Sequence, residues 1–185
     1  MIIFGKKIFA CKKGTRGTAL IEFALAAPLL LLVLTAGYQA FQYVALNVRL
    51  NTIASKVASW TSADVTSANI QDCFIGAWLL DQVDNFASNG QIVVTGISAS
   101  STGQNPVRAW QVASSGAASS IVVGSHNAIT SAPFALAPEA QLIVVEVKYS
   151  YTPFFSSLSS IFPAITLYKV AQTMPQNTAQ FNSFS

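Results

Sequence analysis

The chain has 185 residues, of which 52% are hydrophobic and only 9% charged, whereas ordinary soluble domains carry about 25% charged residues. Lys6, Lys7, Lys12, Lys13 and Arg16 all precede Gly17, with no acid among them, so the remainder is net acidic although the whole carries +3. That distribution leaves no basic patch for a nucleic acid, and no nucleic-acid partner is expected.

The basic leader, residues 1–17, gives way to Gly17-Thr18-Ala19-Leu20-Ile21-Glu22-Phe23, and residues 23–48 then carry no formal charge. At about 1.5 Å per residue this run makes roughly 39 Å of helix. A bilayer core needs about 20 residues, so the run spans with some tilt, at about 23–46. Pro28 is tolerated in such a helix because neighbouring groups satisfy the freed carbonyl. Gln39 and Gln42 lie toward the far end, where headgroups and water can solvate them. Five cations before the run outweigh Arg49 and Lys56 after it, which places the N-terminus in the cytoplasm. An ordinary secretory signal peptide fits poorly. Glu22 interrupts the apolar region, the run is too long, and no clean small-x-small site follows it.

Glu22 has two readings. A carboxylate at the bilayer centre costs about 3 kcal/mol or more, so membrane acids tend to be paired and functional. In a first helical turn near the headgroups, the helix dipole alone would favour it. Alternatively, a cut after Gly17 makes Thr18 a free ammonium with a pKa near about 8. Thr18 stands four residues before Glu22, and the two could pair within or between subunits.

From Val44 onward the pattern turns amphipathic. Leu46, Leu50, Ile53, Val57 and Trp60 form one helical stripe, with Asn47, Arg49, Asn51, Ser55, Lys56 and Ser59 on the other face. The spacing predicts a long helix over 18–60, ended by Thr61-Ser62-Ala63-Asp64. Its outer half, through Ile53, Val57 and Trp60, is expected to pack on the head near Val145, Val147 and Tyr149. A second helix is predicted over 67–87, with Ile70, Cys73, Phe74, Ala77, Trp78 and Leu80 on its apolar stripe and Asn89-Gly90 as its stop. Removal of the leader takes Cys11 with it, leaving Cys73 without an internal disulfide partner, best read as a buried thiol.

The remainder of the head, which spans 61–185, reads as β-structure. Strands are predicted over 91–100, 107–113, 121–123, 141–151 and 165–173. The clearest is 141–151, where Ile143, Val145, Val147, Tyr149 and Tyr151 alternate with Glu146, Lys148 and Ser150. The tail from Pro175 reads as polar and frayed. The fold class is therefore α+β: a long N-terminal transmembrane helix extending into a head with a second helix and an antiparallel β-sheet.

Little chemistry is visible. His126 stands alone in a loop, no Cys/His pair has metal-ligand spacing, and there is no phosphate loop or nucleophile elbow. Neither metal nor cofactor is expected, and the chain reads as no enzyme.

Arg16-Gly17-Thr18-Ala19-Leu20-Ile21-Glu22-Phe23-Ala24-Leu25-Ala26-Ala27-Pro28, followed by a leucine run, resembles the TadE-like pseudopilins of the tight-adherence (Flp) type IV pilus system. Val147-Lys148-Tyr149-Ser150-Tyr151-Thr152-Pro153-Phe154-Phe155, followed by Ile165-Thr166-Leu167, is similar to the C-terminal ending of that family. Met174-Pro175-Gln176 stands where the family usually has a basic residue. The resemblance implies a cut by prepilin peptidase between Gly17 and Thr18, and an assembly role for Glu22 and Phe23. It implies partners among other pilin or pseudopilin subunits, the inner-membrane assembly platform and membrane lipid. It also implies a minor subunit's role in starting, capping or supporting the pilus, since the family's major pilin is much shorter. The alternative is a membrane-anchored extracytoplasmic binding or adhesion domain that is never polymerised.

Overall fold

A single helix, α1 (Thr15–Ala63), runs for 49 residues and passes Pro28 without interruption. This is seen in a computed structural model, which describes residues 15–80, 83, 85–99, 106–114, 116–121, 136–153, 160 and 163–184. Two shorter helices follow, α2 (Ser67–Leu80) and α3 (Phe86–Asn89). Four strands come next: β1 (Gly90–Ser98), β2 (Val107–Ala113), β3 (Gln141–Tyr151) and β4 (Ile165–Thr173). Last is α4 (Thr178–Ser183). The strands form one antiparallel sheet in the order β2-β1-β3-β4. The architecture is the α+β fold that the sequence predicts.

Alternation along the strands builds the main core. Ile143, Val145, Val147, Tyr149 and Tyr151 of β3 lie on the face that also carries Ile92 and Val94 of β1. The outer half of α1 joins this face, where Leu50, Ile53, Ala54 and Val57 are wholly buried. Four side chains at steps of three, one and three make the strip that a helix needs to seat on a sheet. Each large apolar side chain buried there contributes about 1.5–3 kcal/mol. Ile70, Phe74 and Ala77 of α2 complete the same core from the side.

Three expectations need correction. The second helix stops at Leu80 and not at residue 87; the stop at Asn89-Gly90 instead ends α3 and leads into β1. Trp60 is only partly buried, and its ring lies over Gly76 of α2. The tail is not frayed: α4 is capped by the Asn177 side chain, which accepts from the Gln180 amide. Phe181 is 1% exposed and stands 5.5 Å from Trp110, ring to ring. Phe184 joins it, 4.4 Å from the Trp110 ring, so two aromatics dock the polar tail on the core.

The expected strand at 121–123 lies outside the described residues except for Ile121, which is a bend. Ile121 packs instead with Leu136 on a second, smaller cluster of Ile97, Leu142 and Val144. This cluster belongs to the opposite sheet face.

Candidate functional site

Within α1, no residue from 18 to 38 is buried. Leu20, Leu25, Leu29, Leu31 and Leu34 are all more than 60% exposed. The helix has one window long and apolar enough to cross a membrane, with none of that window covered by the rest of the chain. A helix that is apolar all round and bare within its own fold calls for lipid or other helices around it. The Thr35 hydroxyl within it bonds back to the carbonyls of Leu31 and Leu32, at 2.9 and 3.0 Å.

Gly17 and Thr18 lie inside α1, which begins at Thr15. No acid occupies the first described turn, and Glu22 lies seven residues beyond Thr15. Thr18 and Glu22, four apart in continuous helix, share one face. Glu22 and Phe23 are both exposed, and both are carried on the bare segment.

Head contact begins at Gln39. This residue is 0% exposed, so the reading of Gln39 as headgroup-solvated is corrected. Its Oε1 accepts from the Tyr151 hydroxyl at 3.3 Å. Tyr43 stands edge-on to Tyr151, with ring centroids 5.9 Å apart. From Gln39 onward the head covers one side of the apolar run, at Gln39, Tyr43, Ala45 and Leu46, while Phe41 and Val44 stay 68% and 59% exposed. Ile53 and Val57 are fully buried in the core they share with Val145, Val147 and Tyr149.

The opposite face of the sheet holds Glu146, the only charged residue fully buried among those described. Alternation places it on that face as expected, but not that it would be covered. The Ser119 hydroxyl, the Ser120 amide (2.9 Å) and the Tyr168 hydroxyl (2.7 Å) all donate to it. Burial first, then the hydrogen bond to Glu146 and its charge, push the Tyr168 hydroxyl well above its ordinary range, against a smaller lowering by Ser120. These bonds, from Ser119 and Ser120, tie the 117–121 segment to β3. Cys73 is buried, and its thiol is raised by burial, with Asp72 and Asp64 adding to the effect.

Among the described residues no group of His, Cys, Asp and Glu is placed to hold a metal. His126, Asp81 and Asp84 lie outside the described residues. Compared with protein-family models, with curated proteins and with solved structures, the chain gives no match.

Proposed function

We propose that this chain is a minor pseudopilin of a tight-adherence (Flp) pilus, a structural or assembly subunit and not an enzyme. The observation that carries the reading is the Arg16–Pro28 motif on a helix none of whose residues from 18 to 38 is buried by the head. In this reading α1 crosses the inner membrane with its basic end in the cytoplasm and its head outside. Residues 18–38 make about 31 Å of helix, the thickness of a hydrocarbon core. Prepilin peptidase cuts between Gly17 and Thr18. That bond lies in the first turns of α1, so the end must unwind to be cut, which Gly and Thr, both weak helix formers, favour. Glu22 and the new Thr18 ammonium then pair as the subunit meets other pilin or pseudopilin subunits at the assembly platform.

N-terminal sequencing of the protein from membranes and from sheared pili tests this. Thr18 is the expected first residue in both fractions. Met1 retained in cells that assemble pili would overturn the processing step. Thr18 in membranes with none of the protein ever in pilus fractions or pilus-subunit complexes would leave the anchored binding domain in its place.

A further inference from the structure

The sheet ends in two edge strands, β2 and β4, and among the described residues neither has a strand on its outer side. The open N–H and C=O groups along such an edge are a template for another strand. Val170 and Gln172 of β4 and Ala113 of β2 are exposed and uncharged.

Direction decides what can pair. Gln39 meets Tyr151, which faces Ile165 at the start of β4, and the Ser62 carbonyl accepts from the Gln176 amide just past the strand's end. α1 and β4 therefore run the same way. Residues 39–62 make about 35 Å of helix, and residues 165–176 about 36 Å of extended chain. Pairing is antiparallel throughout the order β2-β1-β3-β4, so β4 runs with α1 and β2 against it. With α1 as a membrane span, β4 leads away from the bilayer and β2 returns toward it. Two copies joined β4 to β4 about a twofold axis would point their bare helices in opposite directions, which one membrane forbids. β4 of one copy and β2 of the next are antiparallel while both helices point the same way.

The helix layer carries a matching pair of surfaces. Val44 and Val48, 59% and 62% exposed, stand on α1 away from the flank that turns Gln42 and Trp60 toward α3 and α2. On the far side of the head, Phe74 and Ile75 of α2, Phe86 of α3 and Ile92 of β1 line an apolar cleft of about 340 Å³ beside Ala113 and Ser114. The two surfaces lie at one level. Ile92 shares a row with Val147 and Lys169, and Lys169 is about 13 Å along β4 from Ile165. Val48 is about 14 Å along α1 from Gln39. Four strands occupy about 19 Å, and α1 and α2 over them about 16–20 Å, so sheet and helix layer repeat at the same interval.

We propose that copies of this chain line up in the membrane by pairing β4 of one with β2 of the next, with Val44 and Val48 of the first seated on the apolar cleft of the second. Ala113, Val93, Glu146 and Val170 form one row across the sheet. Copies at one depth in one bilayer therefore set Ala113 beside Val170, Val112 beside Ala171 and Gln111 beside Gln172. Lys169 then faces Ser114 and no second charge. The contact is head-to-tail, so it builds a row with an open edge at each end. This inference rests on α1 being a membrane span, though not on assembly into a pilus.

The test is disulfide cross-linking of the full chain in its own membranes. Within one copy Ala113 and Val170 are three strand spacings apart, about 14 Å. That exceeds the roughly 7 Å between Cα atoms that a disulfide can bridge, so a bond must join two copies. Ala113→Cys and Val170→Cys in one chain are expected to give a ladder of dimers and higher multiples. Neither substitution alone should give a dimer. Cys73 is buried and stays in every variant, with wild type as the blank. Val112→Cys with Val170→Cys, which leave opposite faces of the sheet, should cross-link about tenfold less. Val48→Glu, added to the Ala113→Cys and Val170→Cys pair, should also cut the yield about tenfold by setting a charge against the cleft. Protease resistance of the head in every variant reports that it is folded. No ladder from the folded double variant would overturn the proposal. So would a dimer from either single variant, which means a twofold contact, or a cross-link from Val170→Cys to a different protein. Release of wild type by alkaline carbonate would overturn it separately, by removing the span that fixes the shared direction.

Discussion

Tyr151, the last residue of β3, donates its hydroxyl to Gln39 across 112 residues of sequence, at 3.3 Å and in a fully buried setting. The bond marks the level at which a bare helix becomes a packed one. A neutral hydrogen bond contributes about 1 kcal/mol net. Tyr151→Phe should therefore lower the stability of the head by about that much in urea titration. A double-mutant cycle with Gln39→Leu should show coupling of similar size. Additive losses would mean that the two side chains act independently.

On the proposed reading, Glu22→Ala leaves leader removal and membrane insertion intact, since it makes an apolar segment more apolar. What it should weaken is association with other subunits, through loss of the partner for the Thr18 ammonium. Pull-down of the variant with its pilus partners, compared with wild type, measures this. Undiminished recovery of those partners would rule out the pairing.

Ile53 and Trp60 lie on the same helical stripe and should behave differently. Ile53 is wholly enclosed between α1 and the sheet, and Ile53→Ala should cost about 2–5 kcal/mol. Trp60 covers Gly76 from a partly open position, so Trp60→Ala should cost less than a closed Trp site, which runs to about 3–5 kcal/mol. Chemical denaturation of both variants gives the comparison. A larger loss at Trp60 than at Ile53 would show that the α1–α2 contact dominates.

Gly96 has no room for a side chain. A Cβ there would lie inside the van der Waals envelope of the Trp110 indole, which crosses β1 directly above it. The strand pairing shifts register between Gly96 and Ile97, leaving an extra β2 residue that sets Trp110 in place. Gly96→Ala should cost about 1–3 kcal/mol by overpacking and alter the near-ultraviolet spectrum of the head. An unchanged spectrum and midpoint would mean that the indole is free to move aside.

Much of this head could be read directly from its sequence, and the exceptions share one cause. Leu50, Ile53 and Val57 announce their face by spacing, and β3 by strict alternation, because helix and strand periods are local properties. Glu146 announces nothing of its burial. The segment that covers it lies 26 and 27 residues upstream, and no pattern within β3 reports that arrival. Gln39 is the same case at longer range, since an amide near the end of an apolar run looks solvated until Tyr151 is brought to it. Phe181 and Phe184 are two aromatics in a polar tail, and only the Trp110 ring, brought to them by the sheet, gives them a place. For the N-terminal segment the long apolar helix was legible at once, whereas the level at which the head takes up one side of it depended on long-range packing.

The raised Tyr168 hydroxyl carries a pH consequence. A group whose folded pKa lies above its unfolded value of 10.0 gives stability that is complete below that value. That contribution disappears as pH rises through the folded pKa, because the unfolded chain then holds fewer protons. Tyr151 and Cys73, also raised by burial, act in the same direction. Stability should therefore fall above about pH 10, and more gently in Tyr168→Phe than in wild type. Identical alkaline slopes would show that the Tyr168–Glu146 contact does not persist in solution.

The head is stitched shut by its two extremes. The Gln176 amide donates to the Ser62 carbonyl at 2.8 Å, and the Gln180 side chain reaches Asp64, while Phe181 closes the core beyond them. The first long element and the last short one must meet before the domain is sealed. A ribosome delivers α1 more than a hundred residues ahead of Phe181, so the apolar helix can find a bilayer while the head is still an open sheet. Helix synthesis and closure of the head are thereby ordered in time: a polypeptide stalled before residue 181 would carry its apolar helix complete but its head unlatched, and so open to proteases.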